Sequence, residues 1–288
     1  MIDDIALLYE KTLPDILSGD EAVRRVLSDE ENHFIFRKEN DKLIGVSVIN
    51  EGTIYLLLVD VSYQGRAVGT SLLKESEEFI KSKGTTKITL GAGKDYIVPG
   101  VPMNNNAHLF FKKHGYHHSW GSEKCIDLCM NLSDYSPCGG TYGTSGNGDI
   151  IDGNLYRKAE EKDIEEIIRC CGEDDFRFHY SNKELYKPGS RDFVLIAQRS
   201  GEILGAVMVG VESDEKSIGY AGSIITAQKH RKKGIATNLM KLATNHLKDM
   251  GLYKAWLSYT YSAIAGMYEK LGYEICMEYF MGEKTAFR

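Results

Sequence analysis

The chain has 288 residues and a net charge of −6, with 42% of residues hydrophobic and 26% charged. That balance suits a globular protein with proper cores, and the length fits two domains better than one. An acidic total excludes a nucleic-acid surface spread over the whole molecule. No apolar run nears the ~20 residues of a membrane span, and the acidic start Met1-Ile2-Asp3-Asp4-Ile5 lacks the basic region of a signal peptide. A cytoplasmic protein with neither nucleic-acid nor membrane partners is expected.

In chain order, residues 2–27 read as one or two helices, broken near Pro14 and Ser18-Gly19-Asp20. Strand-like runs follow at His33–Arg37, Leu43–Asn50 and Thr53–Val61, joined by tight polar turns as in an antiparallel meander. Gln64-Gly65-Arg66-Ala67-Val68-Gly69 comes next, then an amphipathic stretch, Thr70–Ser82, and a short strand, Lys87–Leu90. A helix closing on Gly115-Tyr116 and a strand over Glu123–Leu132 complete this half. Residues 136–148 are rich in Gly, Ser and Thr, the composition of a connector. The expected division is therefore 1–138, a linker at 139–150, and 151–288.

The second half repeats the plan. A strand at Leu155–Ala159 precedes a helix from Glu160 to Cys171, and a meander follows at Phe193–Ala197, Ile203–Val211 and Ser217–Thr226. Then come His230–Thr237, an amphipathic stretch from Ile235 to Met250, a strand at Lys254–Ser258 and a helix closing on Gly272-Tyr273. QGRAVGTSLLKESEEFIKSKG lies over RKKGIATNLMKLATNHLKDMG with Gly84 and Gly251 in register, so the chain is an internal duplication. The first copy carries ten extra residues, within the two-proline loop at 91–106.

Strand, basic glycine-containing turn, helix is the order that builds an anion site. The first amides of a helix have no intrahelical partner, the macrodipole adds positive charge, and a glycine lets phosphate oxygens approach the backbone. Arg231-x-x-Gly234-x-Ala236, backed by Met267-Tyr268-Glu269-Lys270-Leu271-Gly272-Tyr273, resembles the signatures of the GNAT superfamily of N-acetyltransferases. The resemblance covers nearly the whole chain twice and implies a mixed α/β fold: two tandem GNAT folds, each a mostly antiparallel sheet flanked by helices. The arrangement is similar to that of tandem members such as mycothiol synthase.

The resemblance further implies acetyl-CoA as cofactor. Ile224, Ile225 and Thr226 would run beside the pantetheine arm. Arg231, Lys232, Lys233, Gly234, Ile235, Ala236 and Thr237 would hold the pyrophosphate. A second coenzyme site would use Val59, Gln64, Gly65, Arg66, Ala67, Val68, Gly69 and Thr70. Tyr268 stands where the family's general acid to the thiolate stands, while the first copy has Phe111 there and Ala67 in place of Gly234. The second half is thus the expected catalytic half and the first a degenerate copy. A core tyrosine would leave the same mark in the sequence, and the reverse assignment of the halves or a non-catalytic coenzyme sensor fits the same residues.

In this family the amine attacks the thioester directly. The six cysteines, at 125, 129, 138, 170, 171 and 276, then need no catalytic role. They form no C-x-x-C pair and lack a zinc-finger histidine, so no metal is expected. Asp175, Phe176 and Phe178 are candidates for one wall of the acceptor site, beside His179 and Tyr180, and Tyr259 and Tyr261 for the other: carboxylates for an ammonium, rings for its cationic face. Glu212 and Tyr220 are the nearest candidates for a base. The acceptor is expected to be a small-molecule or peptide amine, and the chain a monomer.

Overall fold

The computed structural model describes residues 1–18, 20–92, 97–121, 123–136, 148–172 and 177–285. Asp175, Phe176, Cys138 and most of the expected linker lie outside these residues. The chain separates into two compact units, and neither is a continuous stretch. The first holds Met1–Asp127, Tyr259–Ala263 and Cys276–Arg288; the second holds Leu128–Ser258 and Ile264–Ile275. Where the sequence divides the chain once, between 138 and 151, the units exchange segments across that division.

The first unit opens with α1 (Ile2–Thr12) and α2 (Asp20–Leu27). Asp3 and Asp4 in the first turn of α1 and Lys11 in its last suit the helix dipole, and Pro14 follows where the helix has ended. The strands β1 (His33–Glu39), β2 (Lys42–Asn50) and β3 (Thr53–Val59) form the expected antiparallel meander. Helix α3 (Val68–Ser82) then returns the chain to β4 (Lys87–Leu90), parallel to β3. After it come β5 (Val101–Pro102), α4 (Ala107–Lys113), β6 (His117–His118) and the start of β7 (Cys125–Asn131). Both faces of the meander are covered. Leu72, Leu73 and Ile80 of α3 pack with Ile49, Ile54 and Ile88; Ile5, Leu8, Val23 and Val26 of α1 and α2 pack with Val46, Val48, Leu56 and Leu58. Cover on both sides is why β2 is apolar along most of its length instead of alternating.

The second unit takes in the end of β7, then β8 (Asp149–Ile151), β9 (Asn154–Lys158), α5 (Ile164–Cys171) and α6 (Arg177–Tyr180). Next are β10 (Phe193–Arg199), β11 (Glu202–Ser213), β12 (Ile218–Thr226), α7 (Ile235–Asp249), β13 (Lys254–Tyr261) and α8 (Ala265–Glu269). Its strand order is β7-β13-β12-β11-β10-β9-β8. Strands β8 to β12 pair antiparallel; β12 pairs parallel to β13 over Ile218–Tyr220 alone, against Lys254–Trp256. The two strands therefore part beyond Tyr220.

The approach to α5 is fixed by a capping box. The Glu160 side chain bonds the Asp163 amide, and Asp163 returns a bond to the Glu160 N–H at 2.8 Å. Arg157 closes on the same carboxylate with two bonds of 2.7 and 2.9 Å.

The last strands, β14 (Glu274–Phe280) and β15 (Gly282–Thr285), were not foreseen in the sequence. They carry the chain back to the first unit. There β15 lies between β4 and β6, antiparallel to both, and Tyr279 and Phe280 of β14 pair with Pro102 and Val101 of β5. Among the described residues no helix is long and apolar enough to cross a membrane.

Candidate active site

The basic turn of the second unit has the backbone that an anion needs. Lys232 and Gly234 are both left-handed, with φ of 60° and 79°. Gly234 is the N-cap of α7, and no side chain caps this terminus. The first-turn amides are thus left to a ligand or to water. A Cβ built on Gly234 would meet no protein atom within 4 Å, so the space beside it is open. The approach is braced from outside: Glu202 pairs with Lys229 at 2.5 Å and with His230 at 3.3 Å. Arg231 is an exposed residue whose Nε donates to the Thr226 carbonyl at 3.2 Å, tying the turn to the end of β12. Part of its role is therefore to shape the turn.

Strand β12 is irregular just before the turn. Thr226 pairs with Gly205 and Ile225 with Ala206, but Gly222 pairs with Met208. Val207 then faces two residues, Ser223 and Ile224, which makes a β-bulge, and Ser223 takes a left-handed φ of 50°. Tyr180 of α6 is fully buried and its hydroxyl donates to the Ser223 carbonyl.

Turn and bulge open onto a cavity of about 440 Å³. Ile224, Ile225 and Thr226 line it, with Arg231, Lys232, Gly234, Ile235, Ala236 and Thr237, which gathers nearly all the residues assigned to the coenzyme from sequence. Lys233 is exposed and is not in the lining. Cys170, Cys171, His230, Ile264 and Met267 complete it. The Thr226 Oγ1 is closed off from solvent with no hydrogen-bond partner among the described residues. An adjoining recess shares Cys170, Cys171 and Arg231 and adds two more cations, Arg169 and Lys229. Burial pushes the Cys170 thiol up to about 11, which leaves it protonated and a poor nucleophile at neutral pH.

Tyr268 is buried, 2% exposed, one residue beyond the cavity-lining Met267. Burial raises its phenol to about 12. Its ring meets Tyr273 edge-on at 6.3 Å. Tyr220 is pushed up by burial and by the charges of Asp192 and Glu212. Asp192, whose carboxylate accepts the Val211 N–H at 3.0 Å, is a nearby acid that the sequence reading passed over. It lies just before β10, outside the motif-bearing stretches.

The first unit repeats this framework with different contents. Gly65 and Ala67 are left-handed, with φ of 74° and 62°, and the Gln64 amide donates to the Val59 carbonyl at 3.3 Å as Arg231 does to Thr226. Tyr116 N–H bonds Phe111 O at 3.1 Å, and Tyr273 N–H bonds Tyr268 O at the same distance. Two features differ. From Gly45↔Val59 to Val48↔Leu56 the register of β2 on β3 is unbroken; it slips only between Val48 and Ile49, where Tyr55 is the extra residue, so the irregularity of this strand lies further from the turn than in the second unit. Phe110, the counterpart of Met267, lies over the turn: a Cβ on Gly69 would come 3.6 Å from its ring and 3.6 Å from Val59. Val68 and Thr70 begin α3, and Arg66 sits over the Tyr63 ring at 5.1 Å.

Of the expected acceptor walls, Asp175 and Phe176 lie outside the described residues. Phe178 stands 79% exposed on α6. Tyr259 and Tyr261 belong to the first unit, where both pack on Trp120, at 5.6 and 4.7 Å between ring centroids. The sequence places them on the strand after α7, and the structure divides that strand between the units.

Two family profiles match the chain. One described as an acetyltransferase (GNAT) family covers residues 161–273, and one described as an acetyltransferase (GNAT) domain covers 4–129. No curated protein matches by sequence. Among solved structures, the chain is similar to a GCN5-related glucosamine N-acetyltransferase region of a fungal multi-domain GH3 β-N-acetylglucosaminidase (TM-score 0.77, 19% identity), over 98% of this chain and 37% of that one. It spans well under two thirds of that protein. It is also similar to a GCN5-related N-acetyltransferase from Sphaerobacter thermophilus (0.72, 17% identity, 99% and 92% covered). A third is a tandem GNAT protein from the clavulanic acid biosynthesis pathway (0.69, 12% identity, 100% and 95% covered). At these identities the structures speak for the fold. With a GNAT profile on each half and the same framework built twice, the chain belongs to the GNAT acetyltransferase family and carries two of its domains in tandem.

Proposed function

We propose that the second unit is an acetyl-CoA-dependent N-acetyltransferase site acting on a small-molecule or peptide amine, and that the first unit is a degenerate copy. The observation that carries this reading is the asymmetry between two similar frameworks: in the second unit the turn and the adjoining bulge line an open cavity, whereas in the first the strand irregularity lies further from the turn and the Phe110 ring packs beside Gly69. Acetyl-CoA would supply the acetyl group as a thioester. The uncapped first turn of α7 and the cavity-lining cations Arg231 and Lys232 would hold its pyrophosphate. The edge of β12 beyond Tyr220, released from β13, accepts an extended arm by strand addition, and Thr226 Oγ1 is an unused polar atom on that path. A backbone amide of the bulge would face the thioester oxygen.

Tyr268 keeps its proton at neutral pH, since its phenol is raised to about 12, and it would donate that proton to the departing sulfur. Tyr220, flanked by Asp192 and Glu212, would relay the amine proton through water. A second reading, a coenzyme-binding sensor without catalysis, draws support from the burial of Tyr268.

Calorimetric titration of acetyl-CoA into the wild type and into Gly234→Trp tests the assignment. One equivalent bound by the wild type and none by the variant is expected. Retained binding by the variant moves the site to the first unit. Binding without release of free thiol against an amine panel favours the sensor.

A further inference from the structure

We infer that Tyr180 is a positioning residue for the carbonyl end of the coenzyme site, holding the β12 bulge in the shape the thioester meets. The inference rests on the acetyl-CoA assignment of the second unit. A bulge leaves a strand with more than one way to turn its unpaired peptide. Here the choice is made from outside the sheet, by the Tyr180 hydroxyl on the Ser223 carbonyl. Tyr180 is itself held: its ring is fully buried, and its own carbonyl accepts the Tyr186 hydroxyl at 2.8 Å.

The peptide between Ser223 and Ile224 is planar and trans, so its C=O and N–H point in opposite directions. Fixing the carbonyl toward Tyr180 turns the Ile224 N–H away from Tyr180, and Ile224 is a cavity-lining residue. The donor aimed at the thioester oxygen is then set by a side chain that never touches it. Helix α6 also carries the exposed Phe178 two residues earlier. The same short helix therefore presents a surface to solvent and anchors the bulge.

The test is the infrared stretch of acetyl-CoA labelled with ¹³C at the thioester carbonyl, read bound to the full chain, with Kd for acetyl-CoA and for CoA. In the wild type the stretch falls below that of free acetyl-CoA, as a hydrogen-bonded carbonyl requires. Tyr180→Phe returns it toward the free value and lowers acetyl-CoA affinity about tenfold, while CoA affinity stays within about twofold. Tyr186→Phe loosens only the hold on Tyr180 and moves the stretch by less than Tyr180→Phe does. Replacing Tyr180 with 3-fluorotyrosine, a stronger donor of nearly the same size, lowers the stretch further and serves if Tyr180→Phe does not fold. An unchanged stretch in Tyr180→Phe or in the fluorotyrosine protein overturns the inference, as does an equal change in Tyr186→Phe. Failure of the wild type to bind acetyl-CoA removes the coenzyme assignment and this inference with it; binding with an unshifted carbonyl removes the inference alone.

Discussion

Gly234 and Ala67 occupy the same place in two turns of the same shape, and each states what the other can tolerate. Ala67 holds a left-handed φ of 62° as N-cap of a 15-residue helix, so Gly234→Ala is expected to fold, at a cost of ~1 kcal/mol. Phe111 plays the same part for Tyr268. It packs edge-on against Tyr116 at 5.7 Å, as Tyr268 does against Tyr273. Tyr268→Phe should therefore keep the fold and the acetyl-CoA Kd, while kcat falls ~100-fold or more if the phenol is the acid. An unchanged kcat would make Tyr268 a core residue.

Asp163 makes a prediction about stability. Burial alone would raise its carboxyl, but the bonds from Arg157 and the Glu160 N–H hold it below the ordinary 3.8. A depressed folded value means that this stabilisation is present above pH ~3.8 and is lost as pH falls through the folded value. Asp163→Asn should cost ~1–3 kcal/mol near neutrality, and urea melts should show the gap closing in acid. Gly234, Arg231 and Tyr268 could be singled out in the sequence because glycine, basic and phenolic side chains have chemistry that narrows their use. Tyr180 was only one of several aromatic neighbours, because nothing in Phe-His-Tyr says which ring meets a carbonyl.

At the scale of elements, the turn and the helix after it were readable to within a residue or two. Their signals are local: a basic run, a glycine and a 3.6-residue apolar period. The bulge was not, since it is a mismatch between two strands, and Ser223 gives no mark of its left-handed φ. Gln64 and Arg231 show how one element keeps its shape through a change of charge, each bonding back to the strand it follows. Arg231→Gln should leave the melting temperature nearly unchanged, and Arg231→Ala should cost ~1 kcal/mol through the lost hydrogen bond. Equal melting of all three proteins would show that the bond does not hold the turn.

For the whole molecule, the duplication was written in the sequence and the exchange of segments was not. Residues 274–280, Glu-Ile-Cys-Met-Glu-Tyr-Phe, can be read as a strand, but no local pattern says which sheet receives it. The exchange makes the units inseparable by a single cut. A chain ending at Ile275 would leave β4 and β6 without the strand between them, and hydrogen exchange should show protection lost across the first unit's sheet. Residues 151–288 alone would carry β15 with neither of its neighbours and should aggregate; a soluble, cooperatively melting fragment would contradict this. During synthesis, the first half to emerge waits for the last strand before its sheet can close, with an open edge exposed for the whole time the second half is being made. A mutation that merely slows translation of the second half should therefore lower the yield of the first, through holdase demand and not through any change in the folded state.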